Sequence, residues 1–144
     1  MKTRRTRSLN SATRRRSAVV ATAVDDPVPH LLVQISGVLD ADSMAGIFKR
    51  AGDKVAAASP KRVLVDMREC RVALSISDMN GLVKMIAAAF AGTVEKLAVV
   101  LQAHDILPEK FFEPALTSRG VPTLATPDYA EALYWLSARL RAGR

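Results

Sequence analysis

Apolar and polar residues alternate along this chain in two rhythms. Short unbroken apolar runs recur: His30–Leu39 (HLLVQISGVL), Arg62–Met67, Lys96–Gln102 (KLAVVLQ) and Val121–Ala125. Each has the length and the Val, Leu and Ile content of a strand. Arg62–Met67 shows no alternation, which predicts burial on both faces, as in a parallel sheet. Between the runs lie segments with helical spacing. Met44, Ile47, Phe48, Ala51 and Val55 form one stripe, with Asp40 placed to cap the helix and Ser59-Pro60 to end it. Met79, Leu82, Val83, Ile86 and Phe90 form a second stripe, closed by Ala91-Gly92. Pro108 can open a short third helix carrying Phe111 and Phe112, with Pro114 expected to kink or end its first turns. Pro127 can open a last helix with the stripe Tyr129, Leu133, Leu136 and Leu140, and Arg139 and Arg141 suit its C-terminal dipole.

Strand and helix thus alternate four times. Ala18–Val24 (AVVATAV), broken off by Asp25-Asp26-Pro27-Val28-Pro29, adds a short edge strand in front. Such alternation predicts an α/β fold with helices against a mainly parallel sheet. Gly37, inside a strand run, marks a bulge or a close backbone approach.

Composition changes the picture in one place. The formal charge of +7 suggests a nucleic-acid partner until it is located. Lys2, Arg4, Arg5, Arg7, Arg14, Arg15 and Arg16 account for seven of the 21 basic residues, and residues 1–16 hold no acid. The remaining 14 basic residues meet 14 acidic ones, so the rest of the chain is formally neutral. We expect a basic disordered arm at residues 1–17 and a single domain at 18–142. The arm could contact nucleic acid or anionic lipid by counterion release, or act as an organelle transit peptide. It carries no aromatic residue for base stacking. No apolar run reaches the roughly 20 residues of a membrane span. The lone Cys70 excludes an internal disulfide framework and points to a reducing, cytoplasmic compartment. With only His30 and His104 beside it, no structural metal site is expected.

The stretch KRVLVDMRECRVALSISDMNGL (61–82) concentrates the candidate chemistry. A buried strand ends in Asp66-Met67-Arg68, a connection follows, and Ser75-Ile76-Ser77-Asp78 opens a helix. Ser-x-x-Asp is a variant capping box. A helix N-terminus also tolerates a phosphate well, so Ser75 and Ser77 are candidate phosphorylation sites. Asp66 and Arg68, two apart, can face the same way beyond the strand end, where α/β sheets bind ligands. A structural role is expected for them first: Asp66 accepting backbone N–H bonds and Arg68 pairing with Glu69, Asp105 or Glu113. Ser75, His104 and Asp105 do not make a hydrolase, because the chain lacks a Gly-x-Ser-x-Gly elbow and an oxyanion loop. It also lacks dinucleotide-binding and Walker motifs. No catalytic residue and no cofactor is expected.

Particular motifs resemble a known family. Ile35-Ser36-Gly37-Val38-Leu39-Asp40-Ala41 is similar to the opening of STAS domains (sulfate transporter and anti-sigma factor antagonist), and Val63-Leu64-Val65-Asp66 resembles their next strand. Glu131-Ala132-Leu133-Tyr134-Trp135-Leu136 and Asp66-x-Arg68 resemble the SpoIIAA-like subgroup. The resemblance covers about residues 18–140. It implies a sheet of about five strands, mainly parallel with one antiparallel edge strand. It also implies a non-enzymatic regulator that acts by protein–protein interaction. Ser75 falls nine residues after Asp66, where STAS regulators carry a phosphorylatable serine. Where those regulators place Asp before and Gly two after the serine, this chain has Leu74 and Ser77. The expected contact surface is the loop Arg68–Leu74 and the helix to Phe90, with Arg68, Arg71, Asp78, Asn80 and Lys84 as partner-binding residues. The alternative is a carrier of a small apolar, lipid-like ligand. Its pocket would use Asp66, Arg68, Gln102, His104, Phe111 and Phe112, with Met79, Met85 and Phe90 as further apolar lining.

Overall fold

Residues 17–103 and 106–138 are described by a computed structural model of the chain. The elements follow in the order β1 (Ala18–Val24), β2 (His30–Asp40), α1 (Met44–Ala58), β3 (Arg62–Ala73), α2 (Ile76–Phe90), β4 (Lys96–Val100), α3 (Ile106–Thr117), β5 (Thr123–Thr126) and α4 (Tyr129–Ser137). The five strands form one sheet in chain order. β1 pairs antiparallel with β2, and every later pair is parallel. The expected α/β architecture with its antiparallel edge strand is therefore the observed one.

Chain order explains the layers. Right-handed crossovers between successive parallel strands that advance in one direction place their helices on one face. The packing agrees: Val33, Ile35, Val63, Val65, Met67 and Val99 share a core with the inward residues of α1, α2 and α3. The helix α4 follows the last strand and takes the other face, over Leu64, Ala98 and Val100. β3 and β4 are thus covered on both faces. That is why their apolar runs do not alternate.

Two cations hold the last turn of α4. The buried Lys96 Nζ donates to the carbonyls of Trp135 at 2.6 Å and Ala138 at 2.5 Å, and lies 4.8 Å from the Trp135 ring centroid. Arg62 Nε donates to the Leu136 carbonyl at 2.9 Å. They supply the positive charge that a helix C-terminus favours. Arg139, Leu140 and Arg141 lie outside the described residues, as does the arm at 1–16.

Several boundaries differ from the sequence expectation. β3 does not end at Met67. It runs to Ala73, and after a register shift its second half pairs with Ser36–Asp40 of β2. Cys70 is buried and Val72 half-buried while Glu69, Arg71 and Ala73 are exposed. One-sided burial gave this half the polar look of a loop. Asp40 does not cap α1; Ser43 stands at the N-cap. Asp40 instead closes the turn before it, its Oδ1 accepting Ser43 N–H at 2.9 Å and its own N–H reaching Ser43 Oγ at 3.0 Å. The helix α3 continues past Pro114, with Phe112 and Leu116 buried on either side of it. Pro127 precedes the N-cap Asp128, whose Oδ1 accepts Glu131 N–H at 3.2 Å. β4 stops at Val100 and β5 is shifted to Thr123–Thr126. Gly37 has φ of 107°, and a Cβ there would lie 2.8 Å from Ser17 Cα. The close approach falls at that glycine, whereas the register shift lies just before it, between Gln34 and Ser36.

Candidate functional site

The middle of β3, where its pairing with β4 ends, carries a tight ionic pair. Arg68 Nε and Nη2 donate to the two Asp66 carboxylate oxygens at 2.9 and 2.8 Å, and Arg68 N–H reaches Asp66 Oδ1 at 3.1 Å. Arg68 therefore pairs with Asp66 itself rather than with Glu69 or Glu113, and Asp105 lies outside the described residues. The i,i+2 spacing on a strand makes this possible, since both side chains leave the same face. The guanidinium also stacks on Tyr129, 4.6 Å from the ring centroid. Burial is the largest influence on the Asp66 carboxyl and pushes its pKa up. The Arg68 hydrogen bonds and charge together outweigh it, and the pKa lies below the ordinary 3.8. Asp66 in turn raises Arg68. Burial raises the Tyr129 phenol, and the Asp66 charge adds to the effect. Gln102 Nε2 donates to the Arg68 carbonyl at 2.9 Å and the Cys70 carbonyl at 3.4 Å, tying the β4 exit to β3.

The start of α2 is a reciprocal capping box. Ser75 Oγ accepts Asp78 N–H at 3.0 Å, and Asp78 Oδ2 accepts Ser75 N–H at 3.1 Å. The Ser-x-x-Asp spacing predicted it. Next to the cap, Ile76 is 53% exposed. Ile76, Asn80 and Lys84 recur every four residues, so they share one side of the helix. Ser77, Asn80, Lys84 and, on the adjoining strand, Arg71 are exposed, while Asp78 is half-buried by its cap.

The apolar alternative reads differently in three dimensions. Asp66 and Arg68 lie on the α4 face of the sheet, and Gln102 joins them at the strand ends. Phe112 is buried on the opposite face, edge to face with the half-buried Phe111 at 6.0 Å. His104 lies outside the described residues. The described residues of this set do not line one pocket. A cavity of about 780 Å³ lies elsewhere, between α1 and α2 and over the sheet. Phe112, Met85 and Phe90 do line it. Sequence reasoning missed this groove and the Arg68–Tyr129 stack. The available signal for the groove was the run of small residues in both helices, Gly52 and Ala56 in α1 and Ala87–Ala89 in α2.

No protein-family model and no curated protein matches the sequence. Solved structures do match in shape. A DUF3478-family protein with a SpoIIAA-like fold from Shewanella loihica PV-4 superposes with a TM-score of 0.55 at 17% identity, over 85% of this chain and 94% of that one. An anti-sigma factor antagonist from Mycobacterium paratuberculosis gives a TM-score of 0.58 at 19% identity, over 85% and 96%. The chain therefore has the SpoIIAA-like fold that its motifs resembled. Among the described residues no helix is long and apolar enough to cross a membrane.

Proposed function

We propose that this chain is a non-enzymatic regulatory domain that binds a protein partner through the second half of β3 and the outer side of α2. The observation that carries this reading is Ile76, a large apolar side chain 53% exposed at the start of α2, with the exposed Ser77, Asn80 and Lys84 on the same helix. An apolar anchor inside a polar rim is the usual anatomy of a protein contact. One protein of the same fold is described as an anti-sigma factor antagonist, the class of role proposed here. The Ser75 hydroxyl is engaged as a helix cap, which suits a structural serine better than a nucleophile. The lone cysteine, which is buried, suits a cytoplasmic setting. The basic arm would add contacts to nucleic acid or anionic lipid outside this surface.

Phosphorylation would modulate the same surface. A phosphate adds about −1.5 to −2 charges. On Ser75 it would face the Asp78 carboxylate and open the capping box. On the exposed Ser77 it would leave the box intact and place the charge one residue from Ile76. The test is affinity capture from the source cells with wild type, Ile76→Glu and Lys84→Glu, and with Lys54→Glu on α1 as the off-surface control. A partner retained by wild type and the control, and lost with both α2 variants, supports the reading. Identical retained proteins for all four at equal yield would sink it.

A further inference from the structure

We propose that the groove between α1 and α2 is a binding site for a long-chain fatty acid, with the tail over the sheet and the carboxylate at Lys49. The groove exists because the facing walls are too small to fill it. Gly52 and Ala56 on α1 look across at Ala88 and Ala89 on α2. A Cβ at Gly52 would meet nothing within 4 Å. The floor is strand hydrocarbon, including Val33, Val65 and Val99. The volume of about 780 Å³ lies within the usual range for a small-molecule site.

The lining selects the ligand. The polar side chains along the groove are Lys49, Asp53, Ser59 and Thr93. Lys49 and Asp53 form an exposed pair at 3.3 Å, and Thr93 Oγ1 is bonded to the Phe90 carbonyl at 3.0 Å. Ser59 is exposed at the end of α1. Among the described residues nothing polar is held inside. A nucleotide, sugar or heteroaromatic cofactor would lose its water hydrogen bonds there without replacement. The wall from Phe48 to Ser59 extends roughly 16 Å along the helix, a slot suited to an extended chain. An exposed Lys–Asp pair is worth little, so Lys49 can exchange Asp53 for a ligand carboxylate readily. A protein partner would need about 800 Å² on its own side. Around the slot the helices present the exposed charges Lys49, Arg50, Asp53, Lys54 and Lys84 and small alanines, with no exposed large apolar side chain among them.

The full chain, stripped of lipid, would be titrated calorimetrically with saturated fatty acids of increasing length and with the matching alcohols. Affinity should rise up to about fourfold per added methylene until the slot is filled. Gly52→Leu fills the groove while replacing a glycine inside a helix, which propensity favours. It should abolish binding and leave the thermal midpoint at or above wild type. Ala89→Trp on the other wall should repeat the loss. Lys49→Gln should weaken the acids up to about fivefold and leave the alcohols unchanged. Absence of saturable binding at every chain length would overturn the proposal, as would affinities indifferent to Gly52→Leu and Ala89→Trp. A ligand-free dimer in sedimentation that Gly52→Leu dissolves would assign the groove to a second copy and overturn it as well. None of these outcomes depends on the docking surface of α2.

Discussion

Replacing Arg68 by Ala should destabilise the domain at neutral pH and cost little in acid. Asp66 is only 8% exposed, and Arg68 supplies both hydrogen bonds to its carboxylate oxygens from a side chain. Removing one partner of a fully buried pair costs about 3–5 kcal/mol, whereas an exposed pair is worth about 1 kcal/mol or less. The Arg68 side chain is 46% exposed, so the penalty should fall between these limits, about 1–2 kcal/mol near pH 7. The pH dependence follows from the direction of the Asp66 shift. Its folded pKa lies below 3.8, so the pair stabilises the fold above that value and the contribution disappears as the pH falls through the lower, folded one. In Arg68→Ala only the backbone N–H of residue 68 is left to oppose the burial of Asp66, so its carboxyl would rise from the wild-type value and take up a proton more readily. The gap between variant and wild type should therefore close in acid. Urea unfolding followed by Trp135 fluorescence at about pH 7, 5 and 3 measures it. In an Asp66→Asn background, Arg68→Ala should cost much less. A penalty equal at about pH 7 and pH 3, and unchanged by Asp66→Asn, would refute the electrostatic account and leave packing on Tyr129 as the cause.

Variants at two further positions test the frame around the proposed surfaces. Ser75→Ala removes one half of the capping box and should lower stability by about 1 kcal/mol in thermal unfolding, while Ser75→Asp, still a capping residue, should recover most of it. Lys96→Met keeps the apolar stem but withdraws the ammonium from the Trp135 and Ala138 carbonyls; it should destabilise by about 1–3 kcal/mol and red-shift Trp135 emission as α4 loosens.

The fold was legible because each level of the sequence agreed with the next. Unbroken apolar runs named the doubly covered strands β3 and β4, three- and four-residue spacings named α1 and α2, and Ser75-x-x-Asp78 named a cap that the structure forms. What escaped depends on contacts far apart in the chain. The second half of β3 looks polar because only Cys70 and Val72 turn inward. Tyr129 meets Arg68 across 61 positions of sequence, and no local pattern links them. Lys96 and Arg62 read as the polar starts of strands, yet they act as the C-terminal caps of α4. The alanines of α2 read as good helix formers. Their second consequence, a gap opposite Gly52 and Ala56, emerges only when two helices lie side by side.

The same contacts bear on where function sits. A helix of nine residues is too short to persist alone, so α4 depends on what holds it to the sheet. Leu64, Ala98 and Val100 receive Ala132 and Leu136. Arg68, fixed by Asp66, stacks on Tyr129 at the first turn, and Lys96 and Arg62 hold carbonyls of the last. Both ends of α4 are thus secured by cations from β3 and β4. These are the groups at the strands that would otherwise suggest an anion site. Arg68 in particular already has both Asp66 carboxylate oxygens and an aromatic face as partners, and a ligand anion would have to displace them. Arg62, Arg68 and Lys96 are accounted for by the docking of α4. The exposed Ile76 at the start of α2 and the apolar slot beside its second half have no such internal role, and this is the physical reason for placing the proposed binding functions there.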